Sequence, residues 1–258
     1  MKRTLALLVL ALMLTANVAL AAESAEVAAT RKKAEAGDAF SQAVLAEAYY
    51  IGDGVPKDSA EAVKWYRKAA DQGQASAQTN LGLMYDNGEG VPKDSAEAMK
   101  WYRKAADQGS VVAQYNLGLM YSNGVGVPKN LVEAVKWYRK AAEQGTAEAQ
   151  NNLGAMYDTG EGVPKDLVEA VKWYRKAAEQ GNATAQFNLG VMYAQGKGVT
   201  KDLVKAHVWF NIAGASGHAG AKKNLAIVET IMGSAQKAEA MKLAREVFDK
   251  IEASKAKK

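Results

Sequence analysis

Five tryptophans stand 36 residues apart along this chain, Trp65, Trp101, Trp137, Trp173 and Trp209, and the residues around them recur as well. The stretch from Pro92 to Gly109 is rewritten almost letter for letter from Pro128 to Gly145. A period of this length belongs to arrays whose units bury their apolar faces only against neighbouring units. It predicts an all-α solenoid of paired antiparallel helices in 36-residue repeats.

Local signals divide each repeat into two helices. The second opens at Asp58-Ser59-Ala60-Glu61 and at its copies beginning with Asp94, Asn130 and Asp166. This is a capping box, in which the first side chain takes an orphan N–H and the glutamate reaches back to the cap. Gly73, Gly109, Gly145, Gly181 and Gly217 then fall at the left-handed position past a helix end. The first helix, near Ala75 to Asn87 in its second copy, stops at Gly-x-Gly-Val-Pro, because proline keeps its predecessor out of the helical region. These glycines are loop residues and not a phosphate cradle: no strand precedes them and the third glycine of the dinucleotide pattern is missing.

Ala77, Leu81, Gly82, Tyr85, Gly88, Gly90 and Val91, followed by Ala98, Trp101, Tyr102, Lys104, Ala105, Ala106 and Gly109, form a pattern that resembles the Sel-1-like repeat. That repeat is a relative of the tetratricopeptide repeat with a longer loop between its helices. The resemblance covers about Gly37 to Gly217. It implies a right-handed α/α superhelix whose first helices line a concave surface that holds partners. Both ends depart from the pattern. Ala46 replaces a glycine near the start, Thr200 and Lys205 replace a proline and a capping glutamate near the finish, and Glu229 stands where tyrosine is expected. Such departures mark capping units. Residues 22–36 therefore read as a lead-in or capping helix, and 37–232 as the array, with about five full repeats and a degenerate last one. Residues 233–258 read as a capping helix with a basic tail, the helix being signalled by Met241, Ala244, Val247, Phe248 and Ile251.

Comparison of the repeats with one another separates packing from recognition. Leu45, Leu81, Leu117, Leu153, Leu189 and Leu225 share one position, and Tyr49, Tyr85, Tyr121, Tyr157 and Tyr193 lie four residues on, so these form the core stripe. Gly82, Gly118, Gly154 and Gly190 beside it are expected to let a neighbouring backbone approach. The opposite stripe changes from copy to copy: Ser76, Thr79, Leu83 and Asp86, then Val112, Tyr115, Leu119 and Ser122, then Glu148, Asn151, Ala155 and Asp158, then Thr184, Phe187, Val191 and Ala194. From these, Thr79, Leu83, Asp86, Tyr115, Leu119, Asn151, Asp158, Phe187 and Val191 are the candidate partner-binding groove, with Tyr115 and Phe187 as anchors, since aromatic residues dominate binding hot spots. A stripe that merely faces water is the competing reading. Asn80, Asn116, Asn152, Asn188 and Asn224 border the stripe. Their amides could serve a peptide backbone, but their invariance favours a structural bond to a carbonyl of the adjoining loop.

The second helix carries Lys64, Arg67 and Lys68 and their copies. Each arginine has an acid four residues on, as Arg139 has Glu143, so this face is expected to be solvated and self-neutralised and not a polyanion ribbon. The formal charge of +5 leads to the same conclusion. Without Lys2 and Arg3 it falls to 31 basic against 28 acidic residues, too small a surplus to argue for nucleic acid.

Residues 1–21 read as a signal peptide: Lys2 and Arg3, the apolar run Leu5 to Leu14, and the small-x-small ending Ala19-Leu20-Ala21. An uncleaved anchor is the competing reading. The chain has no cysteine, hence no disulfide staple and no acylated-cysteine anchor. The expected location is the bacterial periplasm or the medium, without stable membrane insertion after cleavage. His207 and His218 are the only histidines and lack metal-ligand spacing, so neither metal, cofactor nor catalytic group is assigned. Some cysteine-rich secreted relatives of the repeat class bind or slowly hydrolyse β-lactams. Here Ser234…Lys237 and Ser254…Lys257 fit the serine–lysine spacing, but the companion motifs are absent. The reading is a monomeric, non-enzymatic exported scaffold that binds a protein or peptide in its groove. A peptidoglycan or β-lactam binder with weak hydrolase activity and a bacterial host-interaction factor are the alternatives.

Overall fold

The computed structural model describes residues 23–256, so the expected signal peptide lies outside the described residues. The described residues form thirteen helices and no strand. After α1 (Ala25–Glu35) come the pairs α2 (Ala39–Ile51) and α3 (Ser59–Asp71), α4 (Ala75–Asn87) and α5 (Ser95–Asp107), α6 (Val111–Asn123) and α7 (Leu131–Glu143), α8 (Ala147–Thr159) and α9 (Leu167–Glu179), and α10 (Ala183–Gln195) and α11 (Leu203–Ala215). Two further helices, α12 (Ala219–Ile231) and α13 (Ser234–Lys255), follow. No helix among the described residues is long and apolar enough to cross a membrane. Two compact units result, one running to Ala113 and including Val125–Val127, the other made of Gln114–Gly124 and Pro128–Lys258.

Within each unit the loop between paired helices is fixed by its own hydrogen bonds. In the first unit, Gly52 ends α2 at φ 83° with its N–H on the Ala48 carbonyl, and the Asp58 N–H returns to the Tyr49 carbonyl at 2.9 Å. Asp58 Oδ1 then caps α3 by accepting from the Glu61 N–H at 2.9 Å. Only half of the expected capping box forms. The cap N–H is already used by Tyr49, and the Glu61 carboxylate pairs with Lys64 at 2.7 Å instead. The second helix ends as expected, with Gly73 at φ 92°.

Leu45, Leu81, Leu117, Leu153 and Leu189 are fully buried, and the five tryptophans are 3–8% exposed. The glycines beside the leucine stripe chiefly face side chains, Gly154 also lying near the Ala170 carbonyl. A Cβ built on Gly154 would lie 2.8 Å from Tyr174 Cδ1, and one on Gly190 would lie 2.7 Å from Phe210 Cδ1. Each glycine therefore makes room for the aromatic ring of its own repeat's second helix.

A glutamine relay, missed in the sequence, stitches the pairs together. In the second unit Gln180 Nε2 donates to Gln150 Oε1 at 2.8 Å, and Gln150 Nε2 donates to the Ala142 carbonyl of α7 at 3.0 Å. Gln72, Gln42 and Ala34 repeat this in the first unit. The signal was available, since Gln42, Gln78, Gln114, Gln150 and Gln186 keep the 36-residue period. The relay stops at Ser216, where the next glutamine would stand, and buried Gln186 Oε1 has no partner.

Arg139 and Arg175 turn to tyrosines of the next repeat. Arg139 Nη2 donates to the Tyr157 hydroxyl at 2.7 Å, and Arg175 Nη2 to Tyr193 at 2.8 Å. Lys140 and Lys176 sit over Trp137 and Trp173, 4.1 and 4.2 Å from the ring centroids, while Lys136 and Lys172 pair with Glu133 and Glu169. On the second-helix face the preceding glutamate neutralises one lysine of each repeat, while the arginine and the other lysine rest on neutral tyrosine and tryptophan. A half-buried or buried tyrosine already offers the guanidinium an acceptor, whereas the acid four residues on stands in water.

At the C-terminal end, buried His207 bonds Glu229 through Nε2 at 3.0 Å. These residues occupy positions held by Val171 and Tyr193 one repeat earlier. α13 packs against α11.

Candidate partner-binding face

A groove of about 300 Å³ opens between α6 and α8 in the second unit, with Tyr138 of α7 as its floor. Its walls include Leu119, Ser122, Ala155, Thr159 and Glu161. The Tyr138 hydroxyl bonds Asn152 and Ser122, and burial pushes its pKa up to about 12. The ladder asparagine is thus a structural group, as expected, but its partner is the tyrosine of the preceding second helix and not a loop carbonyl.

A pocket of about 90 Å³ repeats this frame in the first unit, between α2 and α4. Tyr66 replaces Tyr138, Asn80 replaces Asn152, and Glu47, Tyr50, Leu83, Asn87 and Glu89 stand 72 residues before Leu119, Ser122, Ala155, Thr159 and Glu161. The Tyr66 hydroxyl donates to the Glu47 carboxylate and accepts from Asn80 Nδ2 at 3.0 Å. Burial, and then the Glu47 bond, hold its pKa far above that of a free phenol. The Tyr50 hydroxyl is raised by its bond to Glu89, which also accepts from Asn87 at 3.0 Å. The two pockets share a floor and differ in their walls, one carrying two carboxylates and a phenol and the other mostly small neutral groups.

The candidate residues do not share one environment. Leu83 and Leu119 line the pockets. Thr79 is buried, donates to the Ala75 carbonyl at 2.9 Å and shares a hydrogen bond with Ser110, so it faces the packing. Asp86 and Asp158 are half-buried; the first meets Ser95 Oγ at 3.4 Å and the second lies near Tyr174, raising that hydroxyl further after burial. Asn151 Oδ1 accepts from Asn188 at 3.2 Å, which bridges α8 and α10. Tyr115 lies 6.0 Å from the Tyr138 ring, and Phe187 lies 5.8 Å from Phe210 while stacking on His218 at 4.4 Å. Val191 packs on the core. Apart from buried Thr79 these candidates are half-buried, and Tyr115 and Phe187 each pack against the ring of a second-helix residue, while Ser76, Val112, Glu148 and Thr184 of the same stripe are exposed. Sequence reasoning missed Glu89 and Glu161, the middle residues of Gly-x-Gly, although that position varies between repeats as the walls do.

Among the described residues no group of histidine, aspartate and glutamate is arranged to hold a metal ion. Ser254 Oγ donates to the Ile251 carbonyl at 2.7 Å.

Helix pairs with a constant floor and changing walls define a helical-repeat scaffold, the architecture suited to protein–protein contact. Five consecutive matches to the Sel1 repeat model, at residues 39–74, 75–110, 111–146, 147–182 and 183–218, place the class more closely. The chain belongs to the Sel1 repeat family. It resembles the crystal structure of a protective antigen of uropathogenic Escherichia coli strains that displays an SLR fold, at 39% identity and a TM-score of 0.77 over 87% of this chain. The chain spans 48% of that antigen's length. A Sel1 repeat protein from Oxalobacter formigenes is 36% identical with a TM-score of 0.69, over 83% of this chain and 85% of its own. No curated protein sequence shows significant similarity to the chain.

Proposed function

We propose that this protein is an exported, non-enzymatic scaffold that captures a protein or peptide on its first-helix faces. The observation that carries the reading is the pair of equivalent pockets, in which Tyr66–Asn80 and Tyr138–Asn152 are kept while Glu47, Tyr50 and Leu83 become Leu119, Ser122 and Ala155. Packing requirements are the same at both places, so the difference is free to encode a partner. Glu47 and Glu89 suit a basic side chain in the first pocket, and Leu119 with Ala155 suits a small apolar one in the second. Export rests on the residues read as a signal peptide, 1–21.

Crosslinking in the native organism followed by mass spectrometry tests this. Leu119→Arg and Glu47→Lys should each remove the captured partner while leaving the thermal melt within a few degrees of the parent. Lys100→Glu with Lys104→Glu, on the second-helix face, should leave capture intact. Loss of capture in the lysine variant alone would move the binding surface to that face and overturn the reading.

A further inference from the structure

Arg31 in α1 donates to the Tyr49 hydroxyl at 2.7 Å, as Arg139 does to Tyr157 18 residues on, and the Ala34 carbonyl accepts from Gln42 as Ala142 does from Gln150. In register, α1 is thus a second helix. The first pocket shifted back by one repeat becomes Thr30, Val44, Glu47, Ile51 and Asp53, and these line a groove of about 220 Å³ between α1 and α2. In the pocket of α2 and α4 the preceding first helix forms one wall. Among the described residues no helix stands in that place before α1, and Ile51 is left 57% exposed, Val44 40% and nearby Phe40 68%. The groove offers a helix an apolar bed and a rim of Glu26, Glu47 and Asp53.

The other end of the chain presents such a helix. Met241, Arg245 and Phe248 share one face of α13 beside a groove formed with Asn211, Ile212 and Ala215 of α11, with Met241 61% and Phe248 39% exposed and Arg245 between them. End units of a repeat array ordinarily turn polar faces to water, and here both ends keep apolar ones. The cation amid the α13 stripe matches the carboxylate rim of the α1–α2 groove.

We propose that a second copy of this chain is the occupant: α13 of one molecule lies in the α1–α2 groove of the next, head to tail. This departs from the monomer expected from sequence, and it rests on a different groove from the partner-binding pockets, sharing with them only Glu47, which lines both. The contact is heterologous, so each molecule offers one groove and one helix.

Sedimentation equilibrium of the purified chain, its N-terminus established by mass spectrometry, tests the assignment. The weight-average mass should climb with concentration from that of one chain toward two and beyond. Ile51→Lys and Met241→Asp should each stay at the mass of one chain when alone. Their equimolar mixture should regain the two-chain mass, because the intact α13 of the first meets the intact groove of the second; that recovery also shows both variants to be folded. A parent mass that stays at one chain across the concentration range overturns the proposal. So does self-association of either variant alone, which would mean that like ends pair.

Discussion

The Nη2 of Arg139 and the hydroxyl of Tyr157, 18 residues apart on α7 and α8, meet at 2.7 Å. The bond joins the second helix of one repeat to the first helix of the next, where a single side chain can report on coupling between repeats. A double-mutant cycle with Arg139→Met and Tyr157→Phe, read by urea melts, should give a coupling of about 1 kcal/mol. The cycle of Arg139→Met with Glu143→Gln should give none within error. Equal coupling in the two cycles would restore the arginine–acid pair that the sequence suggests.

Gly154→Ala should destabilise by about 1–3 kcal/mol, although alanine is the better helix former, because the added methyl would press on the ring of Tyr174. Equilibrium denaturation decides the sign. A gain would mean that the ring can move aside.

Ser216→Gln should stabilise the last repeat by about 1 kcal/mol, since it restores the donor that buried Gln186 Oε1 lacks. The same substitution at Ser234, in the first turn of α13, should do nothing. A melt that fails to separate the two variants would show that position 216 does not reach the relay.

Alkaline pH should weaken the fold through its buried phenols. Burial raises Tyr138 from an ordinary value near 10 to about 12, and Tyr66 and Tyr174 are raised as well. The neutral forms are the ones favoured in the folded chain. Their contribution is complete below the unfolded value and is lost as pH rises through the folded one. Stability measured by urea should thus be level below about pH 9 and fall between about pH 10 and 12. Tyr138→Phe should be less stable at pH 8 but lose less on going to pH 11. A parallel fall in both proteins would assign the alkaline limb to other groups.

Much of the architecture was legible because it is local. The ends of α4 follow from Gly88 and from the residues before Ala75, and Gly73 announces the end of α3. The errors came where a side chain had two possible partners. Glu61 could reach back or forward, and the loop had already taken the N–H behind it. Arg139 could turn to Glu143 on its own helix or to Tyr157 on the next, and periodicity within one helix says nothing about the ring across the seam. The pocket walls were half visible. Leu83, Leu119 and Ala155 stood out by their variation, whereas Glu47 and Glu89 fall on a helix and a loop that meet only in three dimensions.

The reach of these bonds along the chain, 8 residues for Gln150 to Ala142, 18 for Arg139 to Tyr157 and 30 for Gln180 to Gln150, is less than one repeat, and the Asn188 to Asn151 bond spans 37. Among the described residues no strand joins distant repeats, and the sequence has no cysteine to staple them, so tension on the ends can strip one helix pair without first breaking the others. The extension trace should be a series of small, nearly equal teeth, each releasing one 36-residue repeat, or about 12 nm of slack. A protein of this construction behaves mechanically as a soft, self-rewinding spring.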